Sequence, residues 1–216
     1  MNVMPSLPPR FRLVAFGMGV LMGGCGLVPP PQPDYTRYFL LTEPALSGAP
    51  HASAPEGLRI GLKPVTLAAY LGSRQIVVRR AENEIAFQEY DRWAEPLEHS
   101  VARVIRAQLL EDPVVADVFS PPFPLEGRRD YDLTVHIVRC EGVSATRGAA
   151  GTAVFAAVIE LSTTGAEPRT VVRRMFTAPE AAWDGKDFGR LAGLLSADAA
   201  ALAQEIEGVF PKSPGT

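Results

Sequence analysis

The most apolar stretch of the chain, Leu13 to Gly24, is only 12 residues long, whereas a helix that crosses a bilayer needs roughly 20. The next, Gly148 to Ile159, is equally short and stops at Glu160. A chain with no longer apolar run has to bury its hydrophobic residues in a core of its own. Hydrophobic residues make up 47% of the 216 and charged residues 21%, which suits one globular domain and excludes the disordered class. Arg10 and Arg12 precede the first run and Gly23-Gly24 end it. That layout is a signal-peptide h-region, so residues 1–24 are set apart from the fold.

The run leads into Leu21-Met22-Gly23-Gly24-Cys25. These residues resemble the lipobox cut by the bacterial lipoprotein signal peptidase, with Met22 where Leu is common. The competing reading is a buried core cysteine behind an ordinary signal. On the lipobox reading Cys25 becomes the mature N-terminus, carrying a thioether-linked diacylglycerol and an N-acyl chain such as palmitate, and two such signals suffice for stable anchoring. Cleavage removes Arg10 and Arg12 and no acid, moving the formal charge from −3 to −5. Such a body is not drawn to anionic lipid by charge. Gly26, rather than an Asp that would retain the protein at the inner membrane, favours the outer membrane, with the domain on its periplasmic face. Cys140 is then an unpaired thiol, read as core.

Residues 25–34 hold the acylated Cys and a tether with Pro29, Pro30, Pro31 and Pro33. In polyproline form, nine residues reach roughly 28 Å. The folded domain is expected over 35–210, with 211–216 as a tail. Tyr35 to Leu41 is expected as a first strand, followed by a mobile Ala/Ser/Pro/Gly spacer from Glu43 to Gly57. Leu58, Ile60 and Leu62 alternate on one strand face, and Pro64 ends that strand. Gln75 to Arg80 and Glu84 to Gln88 read as a hairpin with Asn83 in a left-handed conformation. From Leu97 the period becomes helical, through Val101, Val104, Ile105 and Leu109, with Pro96 in the first turn and Asp112-Pro113 closing the helix. Val114 to Phe119 is a further strand; Tyr131, Leu133, Val135 and Ile137 share a face; Thr152 to Leu161 is apolar on both faces, as a central strand would be. Arg169 to Thr177 follows a turn, and Asp187 to Val209 is a second long helix. About seven strands and two helices make a mixed α/β domain with the helices packed on the sheet.

Chemistry is sparse. Lys and Arg total 21 against 24 Asp and Glu, which argues against a nucleic-acid partner. Two cysteines and three histidines predict no metal site, and none of the common nucleophile, zinc or nucleotide motifs occurs. Asp132 with His136 is the best residual pair, weighed against a solvated sheet face. Arg79-Arg80, Arg128-Arg129 and Arg173-Arg174 read either as a phosphate-binding set or as edge charges that discourage aggregation. Tyr70-Leu71 lies in an apolar loop without strand period and is the candidate partner-contact loop, with burial in the core as its alternative. No cofactor and no catalytic residue is expected.

Ile60-x-Leu62-x-Pro64-Val65-x-Leu67, then Tyr70-Leu71, Gln75-Ile76-Val77 and Arg92-Trp93-Ala94-Glu95-Pro96-Leu97, resemble the ABC-type transport auxiliary lipoprotein family (PqiC/YmbA type). Tyr38 to Leu41, the lipobox and the final helix stand where that family has them. The resemblance implies a fold like the anticodon-binding-like and TolB amino-terminal domains. It also implies an outer-membrane lipoprotein, not an enzyme, serving an ABC transporter and an MCE-domain periplasmic protein that move lipid or other hydrophobic compounds between membranes. The rival readings are a periplasmic carrier that binds the lipid itself and a structural, pilotin-like envelope lipoprotein. A homo-oligomer stays open, as do cargo and direction.

Overall fold

The computed structural model describes residues 33–43, 57–123 and 128–210. The signal segment, Cys25, most of the tether, the spacer interior with His51, and the 211–216 tail lie outside them. The chain divides into Met1–Tyr35 and Thr36–Thr216; of the first unit, residues 33–35 have neither helix nor strand.

The second unit carries a ten-stranded sheet organised by its longest pair, β7 (Tyr131–Val143) and β8 (Gly151–Thr163). They run antiparallel over their whole length, from Tyr131 opposite Thr163 to Val143 opposite Thr152. The free edge of β7 is shared in succession by three parallel strands: β2 (Leu58–Leu62) at residues 131–133, β3 (Thr66–Leu67) at 136–137 and β4 (Gln75–Ala81) at 142–143. Beyond β2 the sheet continues to β6 (Val115–Phe119); beyond β4 it continues through β5 (Glu84–Trp93) to β1 (Arg37–Phe39). The far edge of β8 pairs with β9 (Thr170–Thr177) and β10 (Ala181–Trp183).

One face of the sheet is covered by helices α1 (Leu97–Leu109) and α2 (Phe188–Glu207), which pack on each other, α1 against β6 and α2 against β7, β8, β1 and β10. The inward faces of the central pair follow a parity rule with one break. Leu133, Val135 and Ile137 lie opposite Leu161, Ile159 and Ala157, and all are fully buried. The register then shifts between Ile137 and Arg139, after which Cys140 lies opposite Phe155 and Gly142 opposite Ala153. This bulge, one residue inserted into one strand, turns Cys140 into the core and Glu141 to the opposite face. Gly142 permits α2 to approach, because a Cβ there would stand 2.7 Å from the Trp183 ring and 3.2 Å from Leu191.

The expected strands and both helices form, with differences at their ends. Pro96 is the N-cap of α1 rather than its first residue, and the helix ends at Leu109, before Asp112-Pro113. Asn83 is not left-handed: among the described residues positive φ is confined to glycines. A register shift between Arg79 and Ala81 accommodates the twist of the hairpin instead. The count of ten strands exceeds seven chiefly because β3 and β10, of two and three residues, are too short to show a period.

Trp93 and Leu97 are both core residues, and the residues between them fasten α1 to the sheet. Ala94 N–H donates to Phe39 O at 2.8 Å. The Glu95 carboxylate accepts from the Ser100 hydroxyl and, at 2.8 Å, from Arg103, whose other amino group reaches Glu43 at 2.8 Å. The Ser100 bond foremost, and Arg103 after it, hold Glu95 below the usual carboxylate range.

Candidate functional site

The chain follows one edge of β7 from Ile60 to Arg79, and its longest departure from that edge falls between Ala68 and Val78. Ala68 N–H still donates to Ile137 O at 2.8 Å; pairing resumes with Val78 opposite Gly142. Between these points a short 3-10 turn, Ala69–Leu71, loops out beside the bulge. Tyr70 compensates for the missing strand, its hydroxyl donating to Val138 O at 3.1 Å.

Beside Tyr70 lies a buried ionic cluster. Glu141 has 0% side-chain exposure, yet it sits on the sheet face that bears no helix. Arg79 Nε donates to its Oε1 at 2.7 Å, and Arg139 donates to the same oxygen from Nε at 2.9 Å and Nη2 at 2.8 Å. Arg79 also donates to Glu82 O at 2.9 Å, and its guanidinium stands 5.7 Å from the Tyr70 ring centroid. Burial, and secondarily the Glu141 charge, push the Tyr70 hydroxyl up to about 12, so at neutral pH it is a proton donor and not a nucleophile. Arg79 is held more firmly protonated, chiefly by its bond to Glu141. Ala68, Tyr70, Val138, Arg139, Arg79 and Glu82 line a depression of about 540 Å³ over this cluster. Ala68, Tyr70 and Val138 give its lining an apolar part, and Arg79, Glu82 and Arg139 a charged one.

The structure separates the Tyr70-Leu71 pair. Leu71 is 2% exposed and takes the core alternative, because the 3-10 turn directs it under the sheet edge, while Tyr70 stays half-buried. Cys25, the candidate lipid attachment, lies outside the described residues. Cys140 is buried, and burial pushes its thiol far above the ordinary range, as an inert core thiol requires.

Asp132 and His136 share a strand face but are not partnered. Asp132 is taken by Arg129 at 3.0 Å and Lys63 at 3.7 Å, while His136 Nδ1 meets the Thr66 hydroxyl at 2.9 Å. The arginine doublets do not converge either. Arg79 and Arg80 point to opposite faces, toward Glu141 and Ser144 O. Arg129 lies 4.0 Å over the Phe123 ring, and Arg173 and Arg174 pair with Glu160 and Glu205 from the edge strand β9. Nothing local in the sequence marks the Glu141 cluster: Arg139 and Glu141 alternate along a strand like solvated charges, and their place follows only from the bulge.

A transport-component family model, described as the ABC-type transport auxiliary lipoprotein component, matches residues 39–207. The chain belongs to this family. Of the segments that carried the resemblance, Ile60 to Leu67 line β7, Tyr70-Leu71 is the turn beside it, and Trp93 to Leu97 joins β5 to α1. Two solved structures share the fold of these auxiliary lipoproteins. A Xanthomonas campestris protein of the DUF330 family is 20% identical with a TM-score of 0.64, covering 80% of this chain and 93% of its own. An uncharacterized protein is 16% identical with a TM-score of 0.58, covering 79% and 95%. PelC from Paraburkholderia phytofirmans, solved as a dodecamer, is more distant at 12% identity and a TM-score of 0.45, covering 74% and 93%. No curated protein matches the chain.

Proposed function

We propose that this protein is a periplasm-facing, outer-membrane lipoprotein that docks onto an MCE-domain protein of an ABC-type intermembrane transport system and has no turnover of its own. The observation that carries the reading is the family match over residues 39–207; the docking role, the MCE partner and the membrane are our extension of it. The site supports contact: Tyr70 is held by Val138 O and its hydroxyl stays protonated, while the Asp132 and His136 side chains are engaged elsewhere. Acylation of Cys25 and the proline tether make the encounter local, and tethering raises effective concentration enough for a modest interface to suffice.

Two changes in the N-terminal segment test the anchored half of this reading. Cys25→Ala leaves an uncleaved precursor away from the outer membrane, and shortening Pro29 to Pro33 impairs complementation of a deletion strain without changing the domain's Tm. Normal processing and outer-membrane fractionation of Cys25→Ala would refute the anchor.

A further inference from the structure

On the face of β4 opposite the Tyr70 depression, where Arg80 points away from Arg79, four cations from four separate elements meet at one cavity. Arg37 comes from β1, Arg80 from β4, Arg147 from the β7–β8 turn and Lys186 from the turn before α2, around a pocket of about 260 Å³ with Trp183 and Phe188 in its wall. Asp91 is the one carboxylate in that lining, and Arg37 engages it, with Nη2 at 2.7 Å and Nε at 2.8 Å. The ion pairs among the described residues leave Arg80, Arg147 and Lys186 without a carboxylate partner. In a chain of formal charge −3, this is a local inversion of sign. Like charges gathered in a concavity repel one another and focus a field that attracts an anion.

The gathering is built into the backbone. Gly148 and Gly185 both have positive φ, 73° and 77°, where side chains are strained. A Cβ on Gly185 would fall 1.8 Å from Ala149 O, and one on Gly148 would meet the Lys186 stem at 3.3 Å. The two turns are thus pressed together, with the Lys186 stem laid across Gly148. The Ser144 hydroxyl, itself buried, lies 2.8 Å from both Thr146 O and Ala149 O and pins the turn that carries Arg147. Arg80 Nη1 donates to Ser144 O at 3.2 Å. Trp183 stiffens the wall, its indole N–H donating to Asp187 O at 2.7 Å. At the start of α2 the N-cap Asp187 accepts the Arg190 N–H, and Asp184 accepts the Asp187 N–H just before the helix. The Asp184 carboxylate also lies near enough to Lys186 to feel its charge, and Glu89 borders an adjoining depression with Arg80 and Arg147. Neither carboxylate enters the pocket lining.

We propose that this pocket binds a phosphate-bearing anion, from either a phospholipid headgroup or a soluble phosphate. Guanidinium and ammonium groups on several sides offer more donors than the two oxygens of a carboxylate accept, and a phosphate has the oxygens to engage them. The volume lies below the roughly 300–1,000 Å³ of sites that take drug-sized ligands, and it is ample for a phosphate group. The proposal is independent of the docking reading, since the Tyr70 depression shares no lining residue with this pocket.

The test is calorimetric titration of the detergent-solubilised full chain with two probes, inorganic phosphate and dihexanoyl phosphatidylglycerol below its micelle concentration. The wild type is expected to bind at least one, less tightly at raised ionic strength. Arg147→Gln with Lys186→Gln, at two exposed positions, is expected to weaken that binding roughly tenfold or more without lowering Tm. Tighter binding of inorganic phosphate would assign a soluble source; tighter binding of the lipid would assign a headgroup. Failure of both probes to bind the wild type, or equal binding by the double variant, would overturn the site. Should the double variant lose stability, Arg80→Met supplies the same comparison from a third element.

Discussion

Arg79 and Glu141 are joined at 2.7 Å across the β4–β7 junction, and the Glu141 carboxylate has no exposure at all. A buried carboxylate is tolerated only while paired and hydrogen-bonded. The pair therefore locks β4 to β7 at the point where pairing resumes after the Tyr70 turn. Arg79→Met is expected to cost about 3 kcal/mol, the low end of the ~3–5 kcal/mol for breaking a buried pair, because Arg139 remains on the same oxygen. Denaturant unfolding at neutral pH measures it, and an unchanged midpoint would contradict the assignment.

Trp93 is 2% exposed and anchors the strand that leads into α1. Trp93→Ala is expected to cost ~3–5 kcal/mol, lowering Tm by roughly 6–20 °C in a domain of this size. A variant that melts like the wild type but fails to bind a partner would move Trp93 from the core to an interface.

Asp198 on α2 has a buried Oδ2 without a hydrogen-bond partner among the described residues, and burial pushes its carboxyl up to about 6. The folded value lies above the unfolded one of ~3.9, so the native state binds this proton more tightly. Stability then falls as pH rises from about 4 through about 6 and levels off above, by about 3 kcal/mol at roughly 1.4 kcal/mol per pH unit of difference. Asp198→Asn is expected to raise Tm at pH 8 and to lose that advantage at pH 4. A Tm difference constant across this range would contradict the sign.

Cys140 is buried with its thiol driven far above the ordinary range. Thiol reagents at pH 8 are expected to react with it only as fast as the domain opens, with full reaction in denaturant. Native labelling at the rate of a free cysteine would place it at the surface.

What could be read in the sequence was what repeats within one element. Leu133, Val135 and Ile137 announced an inward face, and Val101, Val104 and Ile105 a helical stripe; both are buried as their periods require. The bulge at Val138 was silent, because a single inserted residue changes parity without changing composition. It decides that Cys140 faces the core and Glu141 the other side. The cation pocket was silent for another reason: Arg37 and Lys186 lie at nearly opposite ends of the folded unit and meet only through the topology. Tyr70-Leu71 was legible as unusual, but the 3-10 turn alone determines that Leu71 goes inward and Tyr70 stays half-buried.

The central claim, docking onto an MCE-domain protein, is tested most directly by photocrosslinking in intact cells that carry the cognate transport proteins. Probes at Ala69 and Ser73, exposed positions that flank Tyr70 and leave it and Leu71 in place, are expected to capture the MCE-domain protein, with capture lost when Cys25 is changed to Ala. If that protein is present and probes at Ala69, Ser73 and across the remaining surface never capture it, the docking account is wrong.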